Sequence, residues 1–126
     1  MSAIDGARIR AAIDGAEGGT TGRIAVRIIP QKTENALETA ERELGRAGLH
    51  KHRHRNAIIF LVAPKSRKFA VYGDKAIHER VGDAFWRDVV DEMTPYFARE
   101  EMTAGLIAGI ERAGEQLRAH FPKAHA

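Results

Sequence analysis

The sequence predicts a small α/β domain in which a central mixed β-sheet of about three to four strands is sandwiched by helices on both faces. Two observations carry this expectation. The first is the stretch RNAIIFLVAPKSRKFAVYGD at 55–74, where an unbroken apolar run, Ala57 to Val62, is followed by a turn and a second apolar segment. A strand apolar at every position needs cover on both faces, which places it in the middle of a sheet. The second is that the segments on either side repeat their apolar residues at helical spacing, so helices are available to supply that cover. A 126-residue chain with 44% hydrophobic and 29% charged residues accommodates one domain and its core. We place the domain at 1–122, with 123–126 as a frayed tail.

Residues 4–17 predict a first helix, with Ile9, Ile13 and Ala16 on one side and Arg8, Arg10, Asp14 and Glu17 on the others. Gly18 and Gly19 stop it, and Thr20 to Gly22 turn the chain. Arg23 to Ile29 alternates as a strand until Pro30 removes a ladder donor. A second helix, 35–47, opens on the capping pair Asn35 and Glu38. Its expected apolar stripe is Leu37, Ala40 and Leu44; Gly48 ends it, and Leu49 should tuck beneath. The hairpin strands follow at 57–62 and 68–72, joined by a turn at 64–67.

Asp74 stands where an N-cap carboxylate would accept from amides one turn in. A short helical turn through Ile77 and Val81 should lead into a longer helix with Phe85, Val89, Met93 and Phe97 at four-residue spacing, Trp86 and Val90 beside them. Pro95 should kink or end it. The last helix, about 100–119, presents Met102, Leu106, Ile110 and Leu117, with Gly105 and Gly109 one turn apart for close packing. Phe121–Pro122 closes the fold.

Composition removes several function classes. There is no cysteine, hence no disulfide, thiolate metal site or cysteine nucleophile. The N-terminus carries acids and glycines where a signal peptide needs an apolar run, and no window approaches the roughly 18 apolar residues of a membrane span. A cytoplasmic protein is expected. The net charge of +3 is local: Arg46, Lys51, Arg53 and Arg55 surround three histidines, and Lys65, Arg67 and Lys68 sit in the hairpin turn.

These residues admit several chemistries. His50, His52 and His54 alternate, so an extended backbone would put three imidazoles on one side for zinc, nickel or copper; the basic neighbours oppose this and favour a solvated loop. The basic segments could contact phosphates, yet no aromatic is interleaved to stack bases, so nucleic acid is disfavoured. The glycine-rich GAEGGTTG at 15–22 follows a helix and lacks the phosphate-loop lysine, and it reads as a helix stop. Ser66 in the hairpin turn has no G-x-S-x-G setting. Asp74 ends a strand and begins a helix, which reads as a position at the carboxyl edge of a sheet where α/β ligands bind.

Taken together, Arg55–Asn56, Tyr72–Gly73–Asp74, Phe85–Trp86, Gly105-Leu106-x-x-Gly109-Ile110 and Phe121–Pro122 resemble the TPM domain, a family named for thylakoid-lumen, photosystem II-associated and nematode receptor-associated members. Thr20-Thr21-Gly22 is similar to its T-S-G-E signature. The resemblance spans nearly the whole chain and implies a helix-sandwiched sheet. It also implies two activities: plant lumenal members act as acid phosphatases in photosystem repair, and some members bind calcium. The short form resembles the cytoplasmic branch. Arg23 stands where the family carries glutamate, Ala57 follows Arg55–Asn56 in place of glycine, and Ala76 replaces another glycine. Exchanging an acid for a cation weakens any calcium or other divalent site at Asp74, since such ions want several oxygen ligands.

The expectation is therefore a non-catalytic module that binds a protein or small anionic ligand in a cleft lined by Arg55, Asn56 and Asp74, with Arg23 joining Arg55. The alternatives are a weak metal-assisted phosphatase with Asp74 holding the cation, and nucleic-acid binding through the basic segments at 50–55 and 65–68.

Overall fold

The computed structural model describes residues 4–124. It contains a three-stranded sheet in the order β1-β2-β3 and four α-helices: α1 (Gly6–Glu17), β1 (Arg23–Ile28), α2 (Ala36–Arg46), β2 (Ala57–Ala63), β3 (Lys68–Gly73), α3 (Lys75–Ala98) and α4 (Met102–His120). β1 runs parallel to β2, with Arg23 opposite Ala57, and β2 runs antiparallel to β3, with Ile58 opposite Gly73.

The apolar run of β2 is buried at all seven positions, and its alternation splits the core in two. Ile58, Phe60 and Val62 face one layer, built by α1, α3 and α4 around Ile13, Met93, Leu106 and Ile110. Ala57, Ile59 and Leu61 face the other, covered by Ala36, Ala40 and Leu44 of α2. The stripe of α2 therefore begins at Ala36 and not at Leu37, which is 53% exposed. The reason is angular: Ala36, Ala40 and Leu44 keep four-residue spacing, and Leu37 lies about 100° round the helix from Ala36. Asn35 caps α2, its side chain accepting from the Glu38 amide at 3.0 Å.

Gly82, at φ 76°, breaks α3 into the short and long pieces anticipated from the sequence. Pro95 does not end the helix, which continues to Ala98; Glu100, at φ 60°, makes the turn into α4. The two glycines of α4 act as spaces. A Cβ on Gly109 would lie 2.6 Å from Met93 Sδ and 2.7 Å from Phe60 Cε1, and one on Gly105 2.7 Å from the Phe97 ring. α4 thus packs directly against the aromatic floor of the sheet and the end of α3.

The turn at 20–22 is a fastening point. Thr20 is buried, its Oγ1 donating to the Phe121 carbonyl at 2.6 Å and accepting from the Gly22 amide at 3.0 Å. The Lys123 amide donates to the Gly19 carbonyl at 3.0 Å, so the chain is held one residue beyond Pro122. The remainder of the expected tail, 125–126, lies outside the described residues, as do 1–3.

Candidate functional site

The junction between β3 and α3 brings Asp74 against the segment that enters β2. Because β3 runs antiparallel to β2, which is parallel to β1, Asp74 sits at the carboxyl end of β3 and the amino ends of β1 and β2. This corrects the expectation of a carboxyl-edge site. The Asp74 amide donates to the Ala57 carbonyl at 2.9 Å, and the Ala76 amide to the Arg55 carbonyl at 2.9 Å, so the start of α3 is stitched to the start of β2.

Arg55 lies in the left-handed region at φ 51°, a conformation that costs a non-glycine residue about 1–2 kcal/mol. Its amide is held by the His52 carbonyl at 3.0 Å. The bend turns the side chain back toward Asp74, and the two meet as a fork: Nε donates to Oδ2 at 2.7 Å and Nη2 to Oδ1 at 2.9 Å. Oδ1 also accepts from the Lys75 amide at 2.8 Å, so one carboxylate caps α3 and orients the guanidinium. The pair is asymmetric in exposure, with 4% of the Asp74 side chain and 46% of the Arg55 side chain open to solvent. Hydrogen bonding to Asp74, reinforced by its charge, pushes the Arg55 guanidinium above its ordinary pKa.

A cleft of about 480 Å³ opens beside this fork. Its apolar walls are Leu37 from α2, Val71 and Tyr72 from β3, and Trp86 from α3, while Lys75 and Arg87 add cations that have no polar side-chain partner among the described residues. Burial pushes the Tyr72 phenol above its ordinary pKa; the charges of Glu41 and Asp74 act in the same direction and Arg55 against them. The Trp86 indole N–H donates to His78 Nδ1 at 3.0 Å, and His78 Nε2 lies 3.5 Å from Asp83 Oδ1. Gly73 makes room for the indole, since a Cβ there would lie 2.2 Å from Trp86 Cζ2.

Of the four residues expected in the cleft, Arg55 and Asp74 line it together. Asn56 does not. It is fully buried, its Nδ2 donates to Thr21 Oγ1 at 3.0 Å, and its Oδ1 has no partner among the described residues. Asn56 therefore ties the 20–22 turn to β2. Arg23 begins β1, on the far side of β2 from β3, about 10 Å away by strand spacing, and it lies outside the cleft lining. The walls Leu37 and Trp86 and the His78–Asp83 pair were not anticipated. The sequence signal for Trp86 was an aromatic off the main four-residue stripe of its helix; nothing local marked Leu37.

The residues at Asp74 do not fit a calcium ion. Both carboxylate oxygens accept from the Arg55 fork, and a hard cation wants six to eight oxygen ligands. Among the described residues, no group of three or more His, Cys, Asp or Glu is placed to hold a metal. The histidine segment does not form the extended ladder envisaged for a soft metal, because Leu49–Lys51 is a 3-10 turn. His52 Nε2 lies 3.1 Å from the Thr21 carbonyl oxygen, and the His52 and His54 rings meet edge-on at 5.2 Å. No helix among the described residues is long and apolar enough to cross a membrane.

A comparison with curated proteins gives no match. Among solved structures, the chain is similar to the BA42 protein of the psychrophilic bacterium Bizionia argentinensis, at 27% identity and a TM-score of 0.83, covering 96% of this chain and 86% of that one. The fold is shared with the N-terminal domain of a P. gingivalis protein, at 14% identity and a TM-score of 0.78 over 97% of this chain and 83% of that one. It is also shared with the N-terminal domain of the cg2496 protein of Corynebacterium glutamicum, at 19% identity and a TM-score of 0.68 over 88% and 70%. The family model for the TPM domain matches residues 1–116, and with the helix-sandwiched sheet this establishes that the chain belongs to the TPM domain family.

Proposed function

We propose that this TPM domain is a non-catalytic binding module that takes a small anionic ligand in the cleft between α2 and α3. The observation that carries the reading is the Arg55–Asp74 fork. A buried carboxylate holds a half-exposed guanidinium in one orientation, in a backbone conformation that would otherwise be disfavoured. Nε and Nη2 are used by Asp74, leaving Nη1 without a partner among the described residues. Guanidinium is well suited to planar oxyanions, and Lys75 and Arg87 add positive charge. Leu37, Tyr72 and Trp86 would contact an apolar portion of the ligand, the usual division of labour in a small-molecule site.

The competing readings find less support. A metal-assisted phosphatase with the cation on Asp74 would have to displace Arg55 from both carboxylate oxygens. For nucleic acid, the basic segments at 50–55 and 65–68 flank the seven residues of β2, which separates them by about 23 Å, so they do not make one continuous patch.

The test is a titration of the full chain with phenyl phosphate, following emission from Trp86, the single tryptophan, with inorganic phosphate assayed in the same samples. We expect a saturable change, at least about tenfold weaker in Arg55→Gln, with no phosphate released above a mock preparation. Equal binding by Arg55→Gln would overturn the site. Phosphate release that Asp74→Asn abolishes would overturn the non-catalytic reading in favour of the phosphatase.

A further inference from the structure

We propose a second binding site, independent of the cleft, for a small amphipathic anion: a carboxylate bearing an apolar chain or ring. It lies at the opposite end of the sheet, beyond the carboxyl end of β2, in a cavity of about 570 Å³ between the hairpin turn and the α3–α4 junction. That volume is within the usual range of small-ligand pockets, about 300–1,000 Å³. The position is also the one where parallel strands of α/β sheets offer their binding crevices, and here β1 and β2 are the parallel pair.

The interior of the cavity is apolar. Val62 and Met102 form its buried floor, and Phe69 and Phe97 form a wall, their ring centroids 4.3 Å apart. The wall is built into the fold, because Phe97 lies where a side chain at residue 105 would otherwise stand.

The rim is basic. Arg67, Lys68 and Arg99 line it against a single acid, Glu100. Two of these cations are committed: Lys68 Nζ donates to the Glu34 carbonyl at 2.7 Å, and Arg99 pairs with Glu101 at 3.1 Å while covering the Tyr96 ring. Arg67 differs. It occupies the left-handed region at φ 52°, ψ 43°, and its guanidinium has no partner among the described residues. An unpaired guanidinium lining the same cavity as an aromatic wall matches a ligand with one negative end and an apolar body. A neutral apolar ligand would leave Arg67 unused, and a fully polar anion would leave the phenylalanines dry of contact.

The experiment is a titration of the full chain with decanoate, kept below its micelle concentration and followed by amide and methionine methyl resonances. Saturable shifts at Phe69, Phe97 and Met102 are expected, whether or not the cleft at Gly73 and Asp74 also responds. Arg67→Asn should weaken binding about tenfold or more, because asparagine tolerates the left-handed backbone while removing the guanidinium. Decanol should bind weaker by a similar factor. Non-saturating shifts, shifts confined to Gly73 and Asp74, or equal affinity for Arg67→Asn or decanol at Phe69, Phe97 and Met102 would each overturn the proposal. The cleft reading stands or falls separately, on Arg55→Gln and phenyl phosphate.

Discussion

Replacing Gly73 with alanine tests the packing that shapes the cleft. The added Cβ would lie 2.2 Å from Trp86 Cζ2, 2.6 Å from Cη2 and 3.2 Å from Ile77 Cγ2. Ile77 is fully buried and cannot yield, whereas Trp86 is partly exposed and can swing outward. That movement breaks the 3.0 Å hydrogen bond to His78, worth about 0.5–1.5 kcal/mol, and sacrifices part of the indole contact with β3. Overpacking of this kind costs about 1–3 kcal/mol. A cost of about 2 kcal/mol should lower the thermal midpoint of a domain this size by about 8 °C. Since Trp86 is the only tryptophan, its emission should shift to the red as the ring becomes more hydrated, and phenyl phosphate binding should weaken. Thermal denaturation with fluorescence readout measures both. An unchanged midpoint with unchanged emission would refute the claim that Gly73 seats the wall of the cleft.

Two other glycines should respond in opposite directions. Gly109→Ala drives a methyl into Met93 and Phe60, both fully buried, and after the helix-propensity gain of about 1 kcal/mol it should still lose about 1–2 kcal/mol. Gly15→Ala in α1 meets nothing within 4 Å and should gain about 0.5–1 kcal/mol; urea unfolding distinguishes the two. In Tyr96→Phe, the remaining phenol of Tyr72 should ionise above the ordinary value of about 10. With the folded-state value raised, the unfolded chain loses this proton first, so the stabilisation is present below pH 10 and declines as pH rises beyond it. Phenolate absorbance gives the ionisation, and a titration at or below 10 would contradict the burial of that ring.

The sheet and its two layers were legible because β2 is apolar throughout, a pattern compatible only with cover on both faces. The glycines of α4 were legible as spaces, though not which aromatics fill them. The Arg55–Asp74 pairing could be inferred from two strands that pair at their ends, whereas Asn56 could not be placed. An asparagine beside an arginine looks alike whether it faces a cleft or fastens a turn, and its bond to Thr21 spans 35 residues. Leu37 was assigned to the core from its hydrophobicity; a one-residue difference in helical phase, which the sequence leaves open when Ala36 competes, put it on the lip of the cleft instead. Arg23 was expected to join Arg55 as a second cation for an anionic ligand, and strand order separates them.

The fork between strand entry and helix cap is most directly tested by the ¹⁵N side-chain spectrum of Arg55. With Nε donating to Asp74 at 2.7 Å, its Nε–H should be slow to exchange in the free protein and lose that protection in Asp74→Asn. On adding phenyl phosphate, it should remain protected while the Trp86 indole N–H resonance moves. A fast-exchanging Nε–H in the unmodified chain, or an Arg55 signal indifferent to both Asp74→Asn and phenyl phosphate, would contradict the account.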